Sequence, residues 1–174
     1  MNSMLTRCAL HTMVLNMAKY ERTVHAIEFT PVTTTLNYAN GDVFGDLQEI
    51  TGINQRKGLT LQSVTAIARF DQKTQFDLVF FDAPPVTMPV DNAAFALDAT
   101  DIYKVCGGIR FTTAATDWVD CGTTLVTSFG GISLGLKTKT NGRLYVLAVL
   151  RSGAQYTGQP NAVTFKLYYQ VDDD

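Results

Sequence analysis

Short segments with the character of β-strands recur along this chain, and turn-forming residues separate them about every 8–12 residues. In the last of them, Phe165, Leu167 and Tyr169 alternate with polar neighbours, as expected for a strand with one buried face. The strongest candidates are 24–30, 61–70, 75–82, 144–150 and 164–171. About eight to ten such strands and almost no helix predict an all-β fold, a single-domain β-sandwich with jelly roll as the favoured topology.

Turn residues suggest which strands form hairpins. The polar turn 71–74 predicts a hairpin between 61–70 and 75–82, and Asn141-Gly142 predicts a second one that leads into 144–150. Another Asn-Gly turn is expected at residues 40–41. The side chains of the 61–70 strand expected to face inward are Val64, Ala66, Ala68 and Phe70.

Other segments are predicted to be irregular or helical. Gly45, Gly52 and Gly58 interrupt 44–60, which is expected to be a loop with short paired pieces. Asp98 has the character of a helix N-cap, so a short helix is expected over 99–105, ended by glycines at 107–108. Further short strands are expected at 109–113, 118–121, 125–129 and 132–136.

Composition and charge narrow the possible partners. The 174 residues carry a net charge of −2, with 46% apolar and 17% charged residues, and Lys and Arg are scattered. This argues against direct binding of nucleic acid, which needs concentrated basic charge. No apolar run is long enough to span a bilayer, so no membrane partner is expected. Cys8, Cys106 and Cys121 show no CxxC spacing, which fits assembly in a reducing cytoplasm.

The chain divides into an N-terminal arm or extension, 1–20, a β-sandwich domain, 21–171, and an acidic tip, 172–174. Residues 1–18 also resemble a signal peptide faintly, and a start at Met17 is a further alternative. If the arm is ordered, it is expected to lie on a neighbouring subunit, because a free apolar tail is a liability. Its candidate contact residues are Leu10, Val14 and Leu15.

A long loop is predicted at 83–97, where three prolines keep the chain extended. Its length is typical of a functional or interface loop. The candidate interface residues in it are Pro84, Pro85, Val86, Met88 and Pro89.

No catalytic, cofactor or metal site is predicted. His11 and His25 are the only histidines, and no spacing typical of zinc ligands accompanies them. Asp77 and Asp82 lie five positions apart on a strand, so their carboxylates point to opposite faces. Calcium ligation near Asp98 would need a denser run of acidic residues than this chain has there.

Aromatic residues leave one binding hypothesis open. A sugar-binding platform could be built from Trp118, Tyr145, Tyr156, Tyr168 and Tyr169, as in lectin-like sandwiches. Packing in the core or at an interface is the commoner use of such side chains.

A succession of strand cores resembles small structural proteins of tailed bacteriophages, and the closest functional match is to capsid decoration (cement) proteins. The segments that carry the resemblance are 59–67, 77–84, 92–95, 98–101, 118–122 and 144–148. The resemblance implies a non-enzymatic virion protein, made in the host bacterial cytoplasm, that forms a homotrimer and binds the major capsid protein. The alternatives are a carbohydrate-binding or fibre-associated virion module and an enzyme on a jelly-roll scaffold.

Overall fold

The computed structural model describes most of the chain from residue 23 onward, and its regular structure is almost entirely β. The described residues are 23–34, 37–53, 58–69, 73–112, 117–139, 142–152, 154–155 and 161–171. Their strands are β1 (Val24–Phe29), β2 (Asn37–Tyr38), β3 (Val43–Ile50), β4 (Gly58–Ala68), β5 (Phe76–Phe81), β6 (Val105–Phe111), β7 (Val119–Asp120), β8 (Leu125–Phe129), β9 (Leu134–Lys137), β10 (Leu144–Leu150), β11 (Ala154–Gln155) and β12 (Val163–Val171). A 3-10 helix, Ile102–Lys104, precedes β6. No helix among these residues is long and apolar enough to cross a membrane.

The strands form two main antiparallel sheets. One sheet has six strands in the order β1-β12-β4-β8-β7, with β9 also pairing with β4, and the other has four strands in the order β3-β10-β5-β6. A small third sheet joins β2 to β11. Consecutive strands β3, β4 and β5 alternate between the two main sheets, which is a jelly-roll-like connectivity. The predicted all-β sandwich is therefore confirmed.

The core lies between the two main sheets. A line of aromatic rings crosses it: Phe165 of β12 meets Phe76 of β5 edge-on, with ring centroids 5.2 Å apart. Phe29 stacks on Phe165 at 5.3 Å, and Phe44 contacts Phe76 at 5.3 Å. Burial of these large side chains supplies most of the stabilisation of such a fold.

The central strands β5 and β10 of the four-stranded sheet are buried on both faces. Every residue of β10 is buried. Alternate residues of β10 belong to the main core, while Tyr145, Leu147 and Val149 form a second cluster on the opposite face with Val43 and Phe81. Phe95 and Leu97, from the segment between β5 and β6, pack against this second cluster. The chain therefore covers the outer face of this sheet with its own loop.

The predicted hairpin between 61–70 and 75–82 is wrong. Strand β4 belongs to the six-stranded sheet and pairs with β12, β8 and β9, whereas β5 pairs with β10 and β6 in the other sheet. The chain therefore passes from one sheet to the other between β4 and β5. Val64, Ala66 and Ala68 are buried as predicted, and Phe70 lies outside the described residues.

The loop predicted over 44–60 is also wrong, because β3 runs through its first half and β4 begins at Gly58. Gly45 does not end the strand: it has φ +81°, a Cβ there would run into Pro31, and the register of β3 against β10 shifts between Phe44 and Gln48. This glycine allows close approach of two chain segments within a strand. The glycine at position 45 therefore serves close packing within a strand and does not indicate a loop.

The predicted helix over 99–105 is reduced to the 3-10 turn Ile102–Lys104. Strand β6 starts at Val105, so the glycines at 107–108 lie inside a strand and do not end a helix. The Asp98 side chain accepts the Thr100 N–H at 2.9 Å, which matches its expected turn-forming role. Sheet pairing to β5 overrides the helix signal.

Residues 40–41 form the predicted turn, and the hairpin predicted at the second Asn-Gly pair is wrong. Gly41 and Gly142 have φ of +94° and +65°. Strand β9 before Gly142 pairs with β4, and β10 after it pairs with β3 and β5. Asn141 lies outside the described residues, as do the arm 1–20 and the tip 172–174.

Candidate interface surface

Exposed apolar side chains concentrate on the loop after β5 and on the 3-10 helix. We call this set the apolar face: Val86, Met88, Val90, Ile102 and Tyr103. Their exposed fractions run from 51% at Met88 to 87% at Tyr103. Patches of this kind on a folded domain mark interaction sites more often than chance.

Asp101 holds the first half of the loop in place. This residue is fully buried, and its carboxylate accepts the N–H of Val86 at 2.8 Å and of Thr87 at 3.2 Å. Lys104 Nζ lies 2.9 Å from the same carboxylate and donates to the Pro84 carbonyl at 2.8 Å. The hydrogen bond from Val86 and that from Lys104 hold the pKa of Asp101 below its usual range. The loop and the 3-10 helix are thus joined into one unit.

Asp91 holds the second half of the loop. Its carboxylate accepts the N–H of Thr34 at 2.7 Å, the N–H of Gly45 at 2.6 Å and the hydroxyl of Tyr38 at 2.8 Å. Burial, together with a lesser contribution from the Asp91 charge, raises the pKa of Tyr38 above its ordinary value. Charge-assisted bonds of this kind are stronger than neutral ones.

Backbone hydrogen bonds then attach the loop to the edge of β3. Val43 donates to the Ala93 carbonyl at 2.8 Å, Asn92 donates to the Val43 carbonyl at 2.9 Å, and Phe95 donates to the Gly41 carbonyl at 2.9 Å. The backbone of the loop is therefore attached to the sandwich at several points.

The loop residues of the apolar face lie in a segment with little charge, whereas its 3-10 helix residues lie between Asp101 and Lys104. Between residues 84 and 97 the only ionisable side chain is Asp91, and its carboxylate is turned toward β3 and Tyr38. The surface of a typical soluble domain is about a quarter to a third charged. An uncharged, apolar and fixed loop has the composition found at the centre of protein interfaces.

The sequence-predicted interface residues separate into four groups. Pro84, Val86 and Met88 are exposed, Pro89 is half-buried, and Pro85 is buried, so Pro85 is a packing residue of the loop. Leu10, Val14 and Leu15 lie outside the described residues. Ile102 and Tyr103 were missed because their segment was assigned to a helix. No alternation marks them, because both are exposed and lie in the 3-10 helix.

A second polar cluster lies on β5 and serves the fold. Asp77 is buried and accepts hydrogen bonds from Arg110 at 3.0 and 3.1 Å and from Arg151 at 2.6 Å. Burial alone would raise the pKa of Asp77, but the hydrogen bonds and charges of the two arginines outweigh it and lower the pKa. Asp82 instead pairs with Lys139 at 3.0 Å, so the two carboxylates have separate partners.

The described residues assemble no metal or thiol chemistry. They contain no group of three or more His, Cys, Asp or Glu that could hold a metal ion. Cys106 is half-buried, and burial, with a lesser contribution from the Asp82 charge, raises the pKa of its thiol to about 11, which keeps it protonated. His25 is exposed and stacks on Tyr169 with centroids 5.5 Å apart.

The aromatic platform considered for sugars is not assembled by the described residues. Trp118, Tyr145 and Tyr169 are each more than nine-tenths buried, so their ring faces are in the core. Tyr168 is half-buried, and Tyr156 lies outside the described residues. Tyr103, the most exposed aromatic ring on the described surface, belongs to the apolar face.

Comparison with solved structures gives weak likenesses to chains of viral particles. No family model and no curated protein matches the chain. A chain of the Israeli acute paralysis virus particle is 10% identical with a TM-score of 0.30, covering 99% of this chain and 83% of that one. A chain of Desmodium yellow mottle tymovirus is 11% identical with a TM-score of 0.27, covering 98% and 89%. A chain of a marine algae virus of the order Picornavirales is 9% identical with a TM-score of 0.28, covering 88% and 70%. At TM-scores this low, neither the fold nor the function of this chain rests on these likenesses.

Proposed function

We propose that this chain is a non-enzymatic virion structural protein, a capsid decoration (cement) protein of a tailed bacteriophage that binds the major capsid protein through the apolar face. The observation that carries the proposal is the combination on one loop of exposed apolar side chains, no outward charge and fixation by Asp91 and Asp101. The resemblance of the strand cores to tailed-phage structural proteins supplies the partner class.

A fixed loop suits a protein that must bind many equivalent sites on a shell. Ordering of interface side chains and loops costs free energy on binding, and a loop that is already ordered avoids that cost. Tyr103 is the natural anchor, because tyrosine contributes a large contact area with little loss of conformational entropy and is frequent among residues that dominate binding. A protein surface is therefore the partner that this face fits best.

The test is binding of the purified protein to expanded capsids that lack it, with Val86→Asp and Tyr103→Ala as variants. A buried charge at position 86 and a lost anchor at position 103 should each weaken binding at least 10-fold. Val119→Asp is the matched control, because Val119 is 63% exposed but lies on β7 of the other sheet. If the Val119 variant loses binding while the two face variants keep it, the proposed surface is wrong.

A further inference from the structure

Strand β1 is an edge strand with one side open. It pairs antiparallel with β12 along all of its length, from Val24 opposite Gln170 to Phe29 opposite Phe165. On its other side no strand of the described part of the chain pairs with it. An edge of this length presents a row of backbone donors and acceptors that can accept another strand.

The hydrogen-bonding pattern between β4 and β12 shows which residues of β1 present those groups. Arg69 donates its N–H to the Ala162 carbonyl at 2.9 Å, one step beyond the Ala68–Val163 pair of β4 and β12. Hydrogen-bonded pairs alternate along an antiparallel ladder. The backbone groups of Thr164 and Lys166 therefore bond to β4, and those of Phe165 and Leu167 bond to β1. It follows that Ile27 bonds toward β12 and that the outward groups of β1 belong to Val24, Ala26 and Glu28.

This edge lacks the usual protection against pairing. It contains no proline and no lysine, and its register against β12 has no bulge. Its one acidic residue, Glu28, is already paired within the same sheet with Lys166 Nζ at 2.9 Å. Val24, which shares the outer face with Glu28, is 54% exposed.

The other edge strands of the two main sheets are shorter or less regular. Residues 92–93 exchange backbone hydrogen bonds with Val43 at the start of β3, and the register of β3 against β10 shifts. Strand β6 ends the same sheet on the other side, and its register against β5 also shifts. Irregularities of this kind protect an edge from pairing. In the six-stranded sheet the other end of the strand order is β7, which has two residues. Among the edge strands of the described structure, β1 is therefore a long one whose register is regular throughout.

We propose that β1 pairs antiparallel with β1 of a second copy of this chain, about a two-fold axis at Ala26. Isologous two-fold contacts are the commonest way in which identical subunits associate. This pairing uses a surface separate from the apolar face and does not depend on capsid binding.

The strand is complementary to itself in this register. Ala26 lies opposite Ala26 of the second copy, and Val24 lies opposite Glu28 of the second copy, so no two like charges face each other. On the inner face, Ile27 of one copy covers His25 of the other. Pairing of three outward residues with three gives about six backbone hydrogen bonds and joins the two six-stranded sheets into one.

The first test is the molar mass of the full chain by sedimentation equilibrium. Wild-type protein should form a dimer, Ala26→Thr should keep it, and Ala26→Pro should weaken dimerisation at least 10-fold. Proline removes the outward N–H at position 26 and leaves the bonds to β12, while threonine keeps the N–H. A trimer, a monomer, or a dimer that Ala26→Pro leaves unchanged would overturn the proposal.

The second test does not depend on a proline and reads the register directly. In the proposed pair the two Ala26 Cα atoms lie about 5.5 Å apart, within the range for a disulfide. Oxidised Ala26→Cys should therefore give a covalent dimer, measured against wild-type protein, which retains the native cysteines. Val24→Cys should not, because its counterpart is about 13 Å farther along the strand. Equal cross-linking of both variants, or of neither, would overturn the pairing, whatever the capsid-binding result.

Discussion

The two sheets of the sandwich differ in what lies over their outer faces. On the four-stranded sheet, Leu147 and Val149 are buried beneath Phe95 and Leu97 of the loop. On the six-stranded sheet many outward side chains are polar and partly exposed, and some pair with one another, as Thr65 does with Ser128 at 2.9 Å. The difference shows what the loop does: its inward side chains complete one sheet, and its outward side chains form the apolar face.

The largest effect is expected from a change beneath the loop, on the outer face of the four-stranded sheet. Leu147→Ala empties a fully buried position on the outer face of β10, and we expect it to lower the free energy of unfolding by about 2–5 kcal/mol. Urea denaturation measures this change. A loss below about 1 kcal/mol would mean that the loop does not pack on this sheet as described.

The sequence predicted the buried side chains of the strands better than it predicted which strands pair. Alternation identified the inward residues of β4 and β12 correctly, because side chains point to opposite faces of any strand. It could not identify strand partners. The turn at 71–74 resembles a hairpin turn, yet β5 pairs with β10, whose residues lie far along the chain. Alternation determines which residues are buried, and pairing depends on contacts between distant segments.

The candidate site shows the same division. Three prolines and its length predicted a loop at 83–97, and no strand or helix lies in that segment of the structure. Its role as an interface stays a prediction. The two carboxylates that hold the loop could not be recognised, because Asp91 binds groups on Thr34, Tyr38 and Gly45, and Asp101 binds residues earlier in the loop. An aspartate that joins distant segments has the same local sequence as one in an ordinary turn.

A second prediction separates the packing of the loop from its order. Asp101→Asn removes the negative charge that accepts the N–H groups of Val86 and Thr87 and pairs with Lys104. We expect the sandwich to remain folded, because Phe95 and Leu97 still cover β10, and capsid affinity to fall about 10-fold as residues 84–87 loosen. Amide exchange at Val86 and Thr87 should accelerate. Unchanged exchange with unchanged affinity would show that Asp101 does not position the loop.

A third prediction concerns pH and the charged cluster on β5. The pKa of Asp77 is lowered in the folded protein, so its ionised form stabilises the fold above the ordinary carboxyl pKa of about 3.9. That contribution is lost as the pH falls through the lower folded pKa. The free energy of unfolding should therefore fall less steeply between about pH 5 and pH 2 in Asp77→Asn than in wild-type protein.

The control for the pH experiment is Val119→Ala, an uncharged change at an exposed position on β7. It should leave the wild-type slope in place. Equal slopes for wild-type protein and Asp77→Asn would contradict the role given to Arg110 and Arg151.

The smallest effect is expected on the polar outer face. Thr65→Ala removes the hydroxyl that bonds Ser128, and we expect a loss of about 0.5 kcal/mol in the free energy of unfolding. The comparison of the two faces predicts that this loss is several-fold smaller than that of Leu147→Ala in the same denaturation experiment. Similar losses would mean that both outer faces are buried in the folded protein.

The central claim is that the apolar face is the surface in contact with the capsid, and hydroxyl-radical footprinting tests it most directly. Met88 and Tyr103 are both exposed on the face, and Phe129 of β8 is a partly exposed reference on the other sheet. On binding to expanded capsids, oxidation of Met88 and Tyr103 should fall several-fold while that of Phe129 stays the same. Full oxidation of Met88 and Tyr103 on the bound protein would contradict the account.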